Sequence, residues 1–185
     1  MDIFTLLMIA AGLSMDNFAV SLASGCNPNI KIKDISKAAL LFVAAHLVMF
    51  SLGWFGVSVI AERFDAYDHW ISFGLLVFIG LRMIKEAAAK KGQQECVNIT
   101  ETFSRLLLIA LATSMDALAV GISLSLAGVH FVLSVAAISF FVLITTFFGF
   151  KIGGKLGDKL GIKAEIFGGI VLIGIALKIL LDAMM

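Results

Sequence analysis

Long apolar stretches separated by short polar ones run the length of the chain. Six of them, at 3–25, 38–61, 69–88, 103–127, 131–150 and 165–184, approach or reach the roughly 20 residues of helix that cross a hydrocarbon core. Backbone groups in lipid must be bonded internally, and the alternating pattern of a barrel strand is absent, so each stretch predicts a helix. The one proline, Pro28, falls between the first two stretches. The opening "MDIFTLLMIAAGLSMD" lacks a basic start, and its apolar run continues past Asp16, so it reads as a retained first span rather than a signal peptide.

Composition agrees with this pattern. Of 185 residues, 61% are hydrophobic and 15% charged, with a mean hydropathy of +1.06, which places the chain in the membrane class. A net charge of +1 gives no reason to expect a nucleic-acid partner. Cys26 and Cys96 form neither a CxxC nor a zinc spacing.

The basic residues then orient the spans. Lys31, Lys33 and Lys37 fall in the first loop. Arg82, Lys85, Lys90, Lys91 and Arg105 surround the third, and Lys151, Lys155, Lys159 and Lys163 fill the fifth. Twelve of the 14 Lys and Arg residues thus share one side, leaving Arg63 and Lys178. The positive-inside rule puts that side in the cytoplasm and both termini outside. Tyr67, His69 and Trp70 would lie at the outer interface, where amphipathic rings are favoured.

The polar linker "KKGQQECVNITETFSR" divides the chain into halves that resemble one another. Residues 1–88 form one three-helix unit, 89–102 a cytoplasmic linker and 103–185 a second unit. "SMDNFAV" at 14–20 recurs as "SMDALAV" at 114–120, and "FGLLVFIG" at 73–80 as "FGGIVLIG" at 167–174. The middle spans share only "VAA", at 43–45 and 135–137. Three spans per unit is odd, so the second unit enters from the opposite side. The expected fold is an all-α integral membrane protein of six transmembrane helices in two inverted three-helix repeats, an arrangement of secondary transporters. "NIT" at 98–100 matches a glycosylation acceptor by chance, since it falls in the cytoplasmic linker.

Two acids interrupt this apolar sequence at equivalent positions, Asp16 and Asp116. A charged residue at a helix centre costs about 2.5–3.5 kcal/mol on insertion scales, so both should face an interior. Gly12, Ala19 and Ala23 share a helical face with Asp16, and Ala112, Ala119 and Ser123 share one with Asp116. Small residues at such spacing predict that the first and fourth spans pack closely and bring the acids together. Paired carboxylates in a low dielectric repel each other unless they protonate or bind a cation. Their oxygens suit hard divalent ions, with hydroxyls, amides and water completing the shell. Ser14, Asn17, Thr113 and Ser114 are the nearby candidates for accessory ligands.

Other polar residues weigh differently. His46, in the second span, is a candidate accessory ligand or proton carrier, and equally a hydrogen-bonded packing histidine. Met15 and Met115 read as packing residues, since a thioether suits softer metals. Arg82 with Glu86 and Lys178 with Asp182 stand four apart and read as paired or snorkelling charges. Glu165 suits a helix N-terminus. "GFKIGGKLGDKLG" at 149–161 fits neither a Walker A nor a dinucleotide fingerprint, so neither ATP nor a cofactor is expected.

The stretches "SMDNFAVSLASG", "ATSMDALAVGISL" and "KAEIFGGIVLIGIALKIL", in this order and spanning essentially the whole chain, resemble the MntP manganese efflux pumps of the LysE-like exporter group. The resemblance implies a bacterial inner-membrane protein of six helices that exports Mn²⁺ as its substrate, with Asp16 and Asp116 as the aspartates of the family's two motifs. In some relatives the place of His46 holds an acidic or amide residue. An imidazole there would soften the site toward Zn²⁺, Fe²⁺ or Co²⁺.

Two other classes compete. An amino-acid exporter of the LysE type would bind an amino group between the carboxylates, but no intramembrane partner for a substrate carboxylate is evident. An intramembrane aspartyl protease also uses two aspartates, yet "TSM" precedes Asp116 where such proteases carry GxGD. The partners expected are therefore a divalent ion and the bilayer, with homo-oligomer formation left open.

Overall fold

A computed structural model describes residues 3–25, 30–58, 68–89 and 102–184, with the side chains of 58, 68, 69, 71, 154–161, 164, 165 and 182–184 outside the description. Expectations for Cys26, Pro28, Arg63, Tyr67, Lys90, Lys91, Cys96 and the 98–100 triplet lie outside the described residues. So do those for the side chains of His69, Lys155, Lys159, Glu165 and Asp182.

The described elements are all helices: α1 (Ile3–Leu13), α2 (Met15–Ser24), α3 (Ile32–Ser58), α4 (Asp68–Ala89), α5 (Phe103–Thr113), α6 (Met115–Leu126) and α7 (Phe131–Met184). Among the described residues, four stretches are long and apolar enough to cross a membrane: Ile3–Ser24, Ile32–Val57, Phe103–Leu126 and Phe131–Gly153. The other two expected spans are also helical, as α4 and as the shorter apolar stretch Ile166–Leu181.

Both faces of these helices are apolar, for different reasons. Along α3, Ile35, Ala38, Phe42, Ala45 and Phe50 are buried, while Leu40, Val48, Leu52 and Phe55 are exposed. The first set follows the helical period into the core. The second forms part of an exposed apolar belt, continued by Phe140, Phe147 and Phe148 of α7. A water-soluble monomer rarely exposes so much apolar surface, whereas lipid covers it.

Two expectations need correcting. The fifth loop, expected at 151–164, is helical in backbone. The segment contains no proline, and a glycine inside a helix costs only about 1 kcal/mol. The course of α7 nevertheless turns back. A Cβ on Gly149 would meet Phe18 and Ser21, and one on Gly153 would meet Leu22 and Gly25. Beyond that point Gly168 lies against Gly12 and Met15, and Lys178 Nζ donates to Thr5 Oγ1 at 2.8 Å. The first part of α7 therefore runs parallel to α2 and the last part antiparallel to α1, with the reversal between Gly153 and Ile166.

The second correction concerns the first and fourth spans, which do not pack along each other. Extensive packing joins α2 and α1 to α7, α6 and α5 to α3, and α4 to both α7 and α6. Gly12, expected to face the fourth span, meets Leu172 and Gly168 instead. Small residues do permit close approach, but to other helices. Gly53 of α3 sits so near α6 that a Cβ would overlap the Leu118 carbonyl oxygen and lie 3.2 Å from Ile122 N. Gly149 of α7 sits likewise on α2, where a Cβ would lie 2.9 Å from Phe18 O and 3.2 Å from Leu22 N. Phe18 and Leu22 precede Leu118 and Ile122 by the same hundred positions that separate Asp16 from Asp116.

Candidate metal site

The first and fourth spans are each interrupted at their middle, and at the same residue of the repeat. Ser14 separates α1 from α2, and Ser114 separates α5 from α6. Each serine hydroxyl donates back to a carbonyl three residues earlier, Ser14 Oγ to Ala11 O at 2.8 Å and Ser114 Oγ to Leu111 O at 3.0 Å. Such back-bonding bends a helix. The backbone tightens at the second interruption, where Ser114 N–H donates to Leu111 O and Ala117 N–H to Ser114 O. Both serines take helical dihedrals and make no side-chain cap to the helix that follows.

Directly after each break comes an aspartate, in the first turn of α2 or α6. The positive end of a helix dipole favours a carboxylate there, and Asp116 Oδ1 accepts the Ala117 N–H at 2.9 Å. Asp116 is buried and Asp16 half-buried. The two face one small cavity of about 10 Å³, close to what a single water needs. Its wall is completed by Ala112 and by Ile79, Arg82, Met83 and Glu86 of α4. The acids thus meet across α4 rather than through contact between their own spans.

The accessory candidates lie around this cavity without lining it. Ser14, Asn17, Ser114 and His46 are fully buried and Thr113 nearly so. Thr113 Oγ1 donates to the carbonyls of Ile109 and Ala110. His46 has both ring nitrogens engaged, Nδ1 at 2.9 Å from Phe42 O and Nε2 at 3.2 Å from Asn17 Nδ2. A neutral ring with its proton on Nδ1 satisfies both contacts. Asn17 Oδ1, Ser21 Oγ and Thr146 Oγ1 are buried oxygens with no hydrogen-bond partner.

Met15 packs against the core as expected, but Met115 is largely exposed. Arg82 and Glu86 form the expected pair, Nε to Oε1 at 2.7 Å, yet they also border the cavity. Pairing alone explains two charges four apart, so their spacing gives no sign of a place on the cavity. Ile79, Arg82, Met83 and Glu86 do recur at helical spacing on one face of α4, but only packing tells which face meets the acids.

Among the described residues no group of three or more His, Cys, Asp or Glu side chains is gathered to hold a metal. Two carboxylates beside room for about one water supply hard oxygen donors, part of the ligand set that a divalent cation takes.

Comparison with known proteins adds an independent finding. A family model described as "Putative manganese efflux pump" matches residues 29–180. Relatives with that description and the name MntP span nearly the whole chain. One from Ruminiclostridium cellulolyticum is 38% identical over 185 residues, covering 100% of this chain and 98% of its own. One from Gloeothece citriformis is 39% identical over 183 residues, covering 98% and 96%. A third, from Methanosarcina mazei, is 38% identical over 187 residues, covering 100% and 98%. No solved structure matches.

Proposed function

The chain belongs to the MntP family of manganese efflux pumps, and from that premise we propose that it exports Mn²⁺ from the cytoplasm through a mid-membrane site built on Asp16 and Asp116. One observation carries the reading: both acids, each following a break at the centre of its span, face the same small cavity.

In this mechanism the ion sheds part of its water and sits between the two carboxylates, whose mutual repulsion it relieves. The breaks let α2 and α6 present their acids from helix N-termini. Discontinuous helices of this kind serve ion sites in secondary transporters. His46 acts through Asn17, fixing the turn that carries Asp16, rather than as a metal ligand. Arg82, held by Glu86, moderates the negative potential of the cavity.

The proposal includes six spans in two inverted repeats, 1–88 and 103–185, joined by a cytoplasmic linker at 89–102. The matched seating of Gly53 on α6 and Gly149 on α2 supports that symmetry, as does the reversal of α7. Basic loops on the cytoplasmic side and both termini outside follow the charge asymmetry, in the inner membrane of a bacterial cell.

Efflux from reconstituted vesicles, across Mn²⁺, Zn²⁺, Fe²⁺ and Co²⁺ and with and without a pH gradient, tests the reading. Mn²⁺ should be the preferred ion, and Asp16→Asn and Asp116→Asn should each abolish its movement. Full transport by either variant would overturn the site. Movement of amino acids in place of metals would overturn the substrate.

A further inference from the structure

A groove separate from the metal cavity lies between the N-terminal turns of α3 and α5. It encloses about 490 Å³ and is lined by Asp34, Lys37, Leu40, Leu41, Ala44, Phe103 and Leu106. The lining is graded by polarity. Asp34 and Lys37 stand at the beginning of α3, where the chain leaves the basic first loop, and every residue farther along is apolar.

The dimensions fit an acyl chain. From Asp34 to Ala44 is ten residues of helix, about 15 Å, which is half the thickness of a hydrocarbon core of about 30 Å. Leu40 and Phe103 are about 70% exposed, so the groove opens sideways toward lipid. Among the described residues its polar mouth carries one carboxylate and one ammonium, three residues apart on one helix face, with no ion pair between them. Among the described residues, Asp34 Oδ2 accepts a long contact from Lys31 N–H, at 3.4 Å, which leaves its other acceptor positions available.

We propose that this groove holds one phospholipid whose headgroup carries both a phosphate and a primary ammonium, a phosphatidylethanolamine. The phosphate pairs with Lys37, the headgroup ammonium with Asp34, and one acyl chain lies along Leu40, Leu41, Ala44 and Leu106. A purely anionic headgroup would leave Asp34 facing negative charge. A quaternary choline headgroup lacks the N–H donors that a charge-assisted hydrogen bond to Asp34 requires.

The test is native mass spectrometry of the full chain in mild detergent, titrated with phosphatidylethanolamine, phosphatidylglycerol and phosphatidylcholine of matched acyl chains. One phosphatidylethanolamine should be retained about tenfold more tightly than either other lipid. Asp34→Asn should reduce that preference to the phosphatidylcholine level, and Lys37→Gln should weaken retention of all three. Equal retention of the three lipids by the unaltered chain, a preference for phosphatidylglycerol, or an unchanged preference in Asp34→Asn would each overturn the proposal. Neither residue borders the Asp16–Asp116 cavity, so vesicle efflux by the same variants reports separately on the metal reading.

Discussion

Asn17 Nδ2 lies 3.2 Å from His46 Nε2, tying the residue next to Asp16 to the middle of α3. The ring is itself held by Phe42 O on its own helix. The asparagine is thereby fixed in a fully buried position, and with it the first turn of α2.

If His46 positions rather than ligates, the order of metals transported should not depend on its imidazole. His46→Gln, which keeps an acceptor for Asn17, should retain the order Mn²⁺ over Zn²⁺ with a modest loss of rate. His46→Leu should leave the Asn17 amide unsatisfied, at about 1–3 kcal/mol, and lower the unfolding temperature. A metal-panel efflux assay checks the first expectation and thermal unfolding in detergent the second. A change of metal order in His46→Gln would instead assign the imidazole to the ion.

Arg82 and Glu86 pair at the edge of the cavity, and both are over 40% exposed, so solvent screens their effects. Arg82→Gln should remove a positive charge and free a carboxylate near the site, tightening half-saturation for Mn²⁺ about two- to fivefold. Glu86→Gln should leave Arg82 unopposed and weaken it by a similar factor. Concentration-dependent efflux distinguishes the two directions.

Gly53 and Gly149 have no room for a methyl group, because backbone atoms of α6 obstruct it at Gly53 and the Ser21 Cβ and Phe18 O of α2 obstruct it at Gly149. Gly53→Ala and Gly149→Ala should each destabilise the fold by about 1–3 kcal/mol through overpacking. Gly74 and Gly174 meet nothing within 4 Å of a built Cβ, so alanine there should be neutral or stabilising by up to about 1 kcal/mol. Unfolding temperatures of the four variants, compared side by side, check this.

Ser14→Ala and Ser114→Ala remove the hydroxyls that donate to Ala11 O and Leu111 O and raise helix propensity by about 0.5 kcal/mol. Both should fold at least as well as the parent yet transport more slowly, by about fivefold, because straighter spans carry the acids out of register. Efflux rate and unfolding temperature should therefore move in opposite directions.

Part of the candidate site, the facing of Asp16 and Asp116 on one cavity, was legible in the chain. Two aspartates at matched positions of two apolar spans announced themselves because an acid in lipid needs a reason. Ser14 and Ser114 were visible as members of the repeated motif and as candidate ligands, but not as the points where their spans break. Helix pattern cannot register a one-residue interruption inside an otherwise apolar run, since nothing in the hydrophobic periodicity changes there. The role of α4 was hidden because Arg82 and Glu86 satisfy each other locally, which made a wider role unnecessary.

Hydrophobic pattern alone determined that the apolar stretches are helical and lie in lipid, because an apolar run of this length has few other ways to satisfy its backbone. It also marked the two acids. Which helices touch was decided only by tertiary packing: Gly53 seats α3 on α6, Gly149 seats α7 on α2, and α4 closes the cavity. In a bilayer every outer face is apolar, so sequence hydrophobicity cannot distinguish a face turned to lipid from one turned to a neighbouring helix. Shape makes that choice.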